Sequence, residues 1–476
     1  MRKILASLLA VALLASAVFS LASCSVTDAD TGVDIVLGAS RGASGANTPE
    51  EDAVFSFTAT EVPEELIPTI TEEDPIPPTA GLEFVLDKSE KAYSVLAYSN
   101  ASFPVNPADG KRPALAAEVY VPFSYKGLPV IGICHGAFSN TPAASVTLPD
   151  TLLFIGEKAF KASQIQSLDL PASVYSIAGD AFIDCNKLTA VSVDEGNAVY
   201  STVDGYLMRG NVLMRGFTNG TIPATATEIA NFAFRGCDAL TEIVVPATVT
   251  KLGDGVFANC PNLTTVDIQA DIDRLPNSAL QNCVALTTLV LSDSIKSIGV
   301  SALSNTGLVS YDVPLGVELI DVSAFEGSKQ LATINFATVP EGSDAGLKTI
   351  GSAAFRNCDS LVSIAFPKGL KSIDANAFKS CDSLVNVTIS DTVTYIGAAA
   401  FYECRNLAPI TMPKSVNHVG ICAFYGVDTA FTVYLSTTYL PAKFVNDWNV
   451  REIENALESG KIAVVKSYIT YIKASE

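Results

Sequence analysis

The chain has 476 residues, 49% of them hydrophobic and 17% charged, which is ample for a large core. A formal net charge of −20 argues against a nucleic-acid partner, because phosphate binding needs clustered Lys and Arg. Low charge with frequent Val, Ile, Thr and Ala suits β structure better than helix.

Arg2 and Lys3 precede an apolar run from Ile4 to Phe19, the layout of an export signal that is removed and not of a membrane span. The run ends Leu21-Ala22-Ser23-Cys24, which resembles the bacterial lipobox. The resemblance implies cleavage before Cys24, a diacylglyceryl group on its thiol and acylation of the new amine. Residues 1–23 are then a lipoprotein signal peptide, and Cys24 holds the protein to the membrane, each buried CH₂ adding ~0.8 kcal/mol. An ordinary signal peptide followed by an incidental cysteine is the alternative.

Residues 24–80 follow as a tether. From Ser25 to Ala80 there are twelve Asp and Glu against one base, Arg41, and PIPPTA closes the stretch. Low hydrophobicity with like charge favours disorder, and the prolines extend the chain. Glu50, Glu51 and Asp52 read as a solvated charge run before they read as a calcium site. Residues 81–133 form an N-terminal β cap, with strand-like alternation over Leu82–Leu86, Ala92–Tyr98 and Ala117–Val121. A cap is needed because the first unit of a stack has no neighbour to cover its apolar edge.

A repeat occupies residues 134–431. Phe355, Phe378 and Phe401 are 23 residues apart, and Cys358, Cys381 and Cys404 keep the same interval. The unit is roughly I-G-x-x-A-F-x-x-C-x-x-L-x-x-I-x-I-P-x-x-V-x-x. The anchor phase is held by Phe138, Phe160, Phe182, Phe234, Phe257, Phe325, Phe355, Phe378, Phe401 and Phe424, with Leu280 and Leu303 between Phe257 and Phe325. A fixed period of this length marks a solenoid, because one unit cannot bury its own apolar face. In Ile373–Thr394, the side chains of Ile373, Ala377, Phe378, Leu384, Val387 and Ile389 point inward. Each is expected to gain roughly 1.5–3 kcal/mol on burial, and Leu384–Ile389 supplies one strand per coil to a continuous parallel sheet. Two intervals are long: 52 residues from Phe182 to Phe234 and 30 from Phe325 to Phe355. Gly210-Asn211, between Tyr206–Arg209 and Val212–Phe217, predicts a β-hairpin insertion near 197–220. PEGSDAG at Pro340–Gly346 predicts a loop. Residues 432–476 form a C-terminal cap, with helix-like spacing of Phe444, Trp448, Ile453 and Leu457.

The I-G-x-x-A-F motif, the Cys-Asn or Cys-Asp step (Cys185-Asn186, Cys237-Asp238, Cys358-Asp359, Cys381-Asp382) and the Leu240–Pro246 and Leu361–Pro367 strands carry a family resemblance. They resemble the leucine-rich repeats of the BspA-like (Treponema pallidum-type) class, over about twelve units from Val121 to Phe431. The resemblance implies a mostly β and loop solenoid with little helix, on a cell-surface protein, some members binding host or bacterial proteins.

Seven cysteines share one phase: Cys185, Cys237, Cys260, Cys283, Cys358, Cys381 and Cys404. They read as small buried hydrophobes before the strand, with disulfides between coils or a metal ladder as alternatives. Cys134 and Cys422 fall outside the phase. No phosphate loop, G-x-S-x-G elbow or H-E-x-x-H is present. His135 and His418 lie far apart beside core motifs and read as turn or edge histidines. No catalytic residue, metal ligand or cofactor is therefore assigned.

Alternation aims the third and fifth positions of L-x-x-I-x outward, namely Glu242/Val244, Thr265/Asp267, Thr288/Val290, Ser310/Asp312 and their equivalents. That face is small, polar and mildly acidic, without the Trp, Tyr and Arg usual at binding hot spots. Composition favours the hairpin as the binding element: Tyr200, Tyr206, Met208, Arg209, Met214, Arg215 and Phe217. The reading is a lipid-anchored cell-surface protein, exported and held at the bacterial surface or outer membrane, mediating protein–protein interaction or adhesion with a host or bacterial partner. The alternatives are a structural envelope protein without a specific ligand and a polysaccharide-capturing lipoprotein.

Overall fold

The computed structural model describes residues 64–87, 90–97, 115–217, 220–340, 342–343, 345–427, 431–435 and 470–473. Cys24, the signal peptide, the tether up to residue 63 and the Phe444–Leu457 stretch lie outside the described residues.

About thirteen coils of roughly 23 residues stack into a β-solenoid with almost no helix. Each full coil contributes two strands where the sequence pattern indicated one. The longer strand is the predicted one, as in Glu242–Val245, Thr265–Ile268 and Thr288–Leu291, paired parallel with Thr265 opposite Thr288. The shorter strand is the residue pair ending in the Ile of I-G, as in Thr349–Ile350, Ser372–Ile373 and Tyr395–Ile396. Two residues are too few for alternation to register in sequence, but stacking repeats them into a seven-stranded sheet from Arg274–Leu275 to His418–Val419. The longer strands form separate sheets of two to four strands, so that ladder is segmented. One break separates Thr288–Leu291 from Ser310–Val313.

The core lies between the two ladders. Phe355, Phe378 and Phe401 are fully buried in one row, with ring centroids 5.1 and 5.3 Å apart and ring planes within 7° of parallel. Free aromatic pairs prefer offset or edge-on contact. Here the strand spacing, ~4.8 Å in any sheet, sets the ring separation and forces parallel rings. Leu280 and Leu303 fill the row where Phe is absent and are equally buried.

Two left-handed residues bend each coil around its Phe. One precedes the Ala-Phe step, as at Ser323, Ala353, Asn376 and Ala399, and one lies two residues after the anchor. Asn259, Asn282, Asn305 and Asn357 take this second position, with φ between 55° and 63°. Asn tolerates that region because its short amide bonds locally. Asn282 Nδ2 donates to Asn259 Oδ1 at 2.8 Å and Asn305 Nδ2 to Asn282 Oδ1 at 3.0 Å, linking successive turns. Gly397 answers a different need: a Cβ there would fall 2.4 Å from the Ala375 nitrogen of the preceding coil.

The N-terminal strands form nearly where expected, at Leu82–Leu86, Tyr93–Ala97 and Glu118–Tyr120. The reading of 24–80 as wholly disordered tether is corrected for its last part. Residues 64–80 lie against the cap, where Leu66 and Ile67 pack on Ala92, Ile131 and Leu153. The Asp74 carboxylate accepts hydrogen bonds from Tyr120 Oη (2.7 Å) and the Phe123 nitrogen (2.9 Å). Thr79 Oγ1 accepts from the Tyr120 nitrogen at 2.7 Å. These groups cover the outer edge of Glu118–Tyr120, the first strand of the longer ladder, and an uncovered edge would invite pairing. Desolvation opposes the charged form of Asp74, but hydrogen bonds from Tyr120, Ile76 and Phe123 outweigh it and hold the carboxyl below its ordinary value. Stability from this contact is present above the ordinary Asp pKa and is lost as pH falls through the lowered one. Asp74→Ala should loosen the segment by about 1–2 kcal/mol, seen as faster proteolysis within residues 64–80 and little change in global melting.

At the C-terminal end, Thr432–Leu435 pairs parallel with Ile410–Met412 and with Thr470–Lys473.

Candidate functional site

The predicted hairpin forms, but its side chains face the core. Tyr206–Arg209 and Val212–Arg215 pair antiparallel across Gly210-Asn211. A third strand, Tyr200–Val203, precedes them through a turn at Asp204-Gly205, an equally good hairpin signal. The assignment of this element as the binding surface is therefore corrected. Tyr200, Tyr206, Met208, Arg215 and Phe217 are buried, and only Arg209 and Met214 are half-exposed. Three of the buried residues bridge gaps in the stack. Tyr200 Oη accepts the Ile177 nitrogen at 2.8 Å, replacing the missing next strand. The Arg215 guanidinium donates to the carbonyls of Phe232 (3.1 Å) and Arg235 (2.9 Å). The Phe217 carbonyl accepts Cys237 Sγ at 2.9 Å, the part taken by the anchor Phe of other coils. Phe217 is thus an anchor that the sequence period concealed, which raises the coil count above the twelve read from spacing.

The thiol ladder has a single geometry. Cys260, Cys283, Cys381 and Cys404 each direct Sγ at the anchor-Phe carbonyl of the preceding coil, at 3.0–3.1 Å. Where Ser328 takes the phase, its hydroxyl donates to the Leu303 carbonyl at 2.9 Å. The nine described cysteines are unpaired, and the seven of the ladder are buried. Desolvation pushes Cys134 up to about 12 and Cys237 up to about 11, and holds Cys260, Cys358 and Cys381 well above the ordinary thiol value. A protonated, buried thiol is a poor nucleophile and a poor metal ligand. Among the described residues no group of three or more His, Cys, Asp or Glu is placed to hold a metal ion.

On the two ladders, side chains reach solvent through the outward rows. On the longer strands, burial alternates as predicted: Glu242, Val244, Thr288, Val290, Ser310 and Asp312 are exposed. Short polar contacts tie neighbouring rungs, with Asn335 Nδ2 donating to Asp312 Oδ1 at 2.7 Å. On the shorter strands the outward residue precedes the buried Ile. Over Thr349, Ser372, Tyr395 and His418 this row changes from hydroxyl to aromatic. Tyr395 and His418 stack at 4.6 Å and 6°. The residue after each anchor Phe gives a second pair, Tyr402 and Tyr425, at 5.2 Å, with Lys379 Nζ 4.8 Å from the Tyr402 ring centre. Ile421, 43% exposed, lies in the turn between His418 and Tyr425. These residues were missed because the shorter strand was; alignment of units at the I-G step, in place of the L-x-x-I strand, would have found the row. His135 sits exposed, with Nδ1 3.5 Å from Glu157.

The BspA type leucine-rich repeat region model matches residues 127–203, 214–332 and 335–444, in six copies. No curated protein sequence matches the chain. Among solved structures, a leucine-rich repeat protein from Bacteroides ovatus shares 20% identity over 83% of this chain and 98% of that one, with a TM-score of 0.47. A leucine rich cell surface protein from Faecalibacterium prausnitzii shares 20% over 75% and 87%, at 0.38. The pneumococcal vaccine antigen PcpA shares 16% over 84% and 100%, at 0.41. The family model covers well over half of the sequence, and the matched ranges span the coils of the solenoid. This chain is a member of the BspA type leucine-rich repeat family.

Proposed function

We propose that the protein is a cell-surface interaction module, held to the membrane by lipid on Cys24, whose coils bind a protein partner. One observation carries the reading: the thiols of the ladder are buried against backbone carbonyls, so the repeats meet solvent through fixed rows of outward side chains. Leucine-rich repeat proteins of this surface type generally mediate protein–protein interaction and are not enzymes. A rigid stack offers such rows at a constant spacing without ordering them on binding, and preorganisation of this kind favours affinity.

The test uses intact cells carrying the full chain or its Cys24→Ser variant, an impermeant amine-reactive label and metabolic palmitate. Labelling of the solenoid from outside, with palmitate on the parent and not on Cys24→Ser, is the expected result. A protected solenoid, or equal palmitate on both, overturns the surface or the lipid assignment respectively. Lysine substitutions at Asp267 and Val290 should change stability by no more than about 0.5 kcal/mol, so any effect on partner capture by intact cells reads the surface alone.

A further inference from the structure

We propose that the shorter-strand side of the last coils, marked by Tyr395, His418, Tyr402 and Tyr425, docks an acidic polypeptide segment. The proposal deepens the interaction reading above by naming the surface and the chemistry of its partner. Elsewhere on the shorter ladder the outward residue is most often charged or a hydroxyl, as at Ser176, Glu228, Lys251, Arg274 and Ser297. In the last coils two aromatic pairs stand on neighbouring rungs, with exposed Ile421 in the turn between their rows. Tyr is among the types that concentrate binding energy, because it buries large area with little ordering. Along one coil, Tyr395 and Tyr402 lie before and after the turn that buries Phe401, with Ala398 and Ala399 half-exposed between them.

Charge selects the partner. Residues 134–347 hold ten Lys and Arg against twenty-two Asp and Glu, whereas residues 348–427 hold seven against five. Within a chain of net charge −20, this end carries a positive excess over several successive coils. Lys371 is exposed on the rung preceding Tyr395, whose nitrogen donates to the Lys371 carbonyl at 3.1 Å, and Lys379 lies over Tyr402. Three acids near this surface are already bonded within the chain. Asp374 accepts from Ser372 Oγ, Glu326 pairs with Arg356, and Glu403 accepts from Ser380 Oγ at 3.5 Å. An acidic segment would be repelled along the middle of the array and attracted here, which fixes its place as well as its class.

The experiment measures fluorescence anisotropy of the full mature chain with labelled 15-residue peptides. One set is rich in Asp and Glu with a single Tyr or Leu, and the other is its lysine-rich counterpart. The acidic set should bind at least tenfold more tightly, and several-fold less tightly when salt rises from 50 to 300 mM. Tyr402→Ser/Tyr425→Ser and Lys371→Glu should each lose about tenfold, with unchanged melting, whereas Asp267→Lys on the opposite ladder should keep parental affinity. Equal binding of the two sets, no binding of either, or parental affinity in the tyrosine variant overturns the proposal. If intact cells capture a protein that Asp267→Lys no longer captures while acidic peptides stay unbound, this surface fails and the interaction reading stands. If neither peptide nor protein is bound, both fail.

Discussion

Phe378→Ala should destabilise the solenoid by about 3–5 kcal/mol. The ring is fully buried and stacked at 5.1 and 5.3 Å between Phe355 and Phe401, with Phe366 5.6 Å away. Its neighbours are held by two parallel ladders and cannot close the space without breaking strand register, so the cavity persists. The loss is large against a total stability of about 5–15 kcal/mol. Because each coil contacts only its neighbours, the effect should be strongest locally. Hydrogen exchange should quicken first over the coils anchored by Phe355, Phe378 and Phe401, while the coils around Phe138 and Phe160 keep their protection. Tyr395→Ala, at an outward position on the next coil, should change the urea midpoint little.

Alkaline pH should unfold the protein more steeply than its lysines account for. Desolvation raises Cys134, Cys185, Cys237, Cys260, Cys358 and Cys381 in the folded chain. An unfolded thiol titrates near 8.5, so the folded state binds more protons above that pH. Stability is therefore complete below about pH 8.5 and falls as pH rises toward the folded values, by about 1.4 kcal/mol per unit for each thiol. Six such groups together remove stability on the scale of the whole fold within one to two units. The urea midpoint measured from pH 7 to 10.5 should be flat and then drop, and Cys358→Ala/Cys381→Ala should make the drop shallower. A midpoint unchanged to pH 10.5 would mean that the thiols are not desolvated. Below pH 8 the native protein should leave its ladder thiols unreactive toward a thiol reagent that modifies them once urea is added.

The repeat could be read from sequence because burial imposes one residue type at one phase. A large apolar side chain must fill the row at Phe355, Phe378 and Phe401, as Leu does at Leu280 and Leu303, and the Ile-Gly step keeps its interval beside it. The tether was misread at its end because composition does not reveal that Asp74 meets Tyr120 and Phe123, nearly fifty residues onward. The hairpin was located correctly from Gly210-Asn211, but its side chains were assigned to solvent. Alternation gives the two faces of a strand and not which face meets the core; Tyr206 and Met208, side by side with Leu207, are all buried. The aromatic pairs escaped notice because their partners are 23 residues apart and each member looks ordinary alone.

The most direct test pairs two readouts, melting and partner binding, on two sets of substitutions in the full chain. Inward changes at Phe378 and Phe401 should lower melting sharply. Outward changes at Tyr402, Tyr425 and Lys371 should leave melting at the parental value and weaken binding about tenfold. The opposite pattern, with outward residues governing stability or binding indifferent to all of them, would contradict the view that this stack works through its surface.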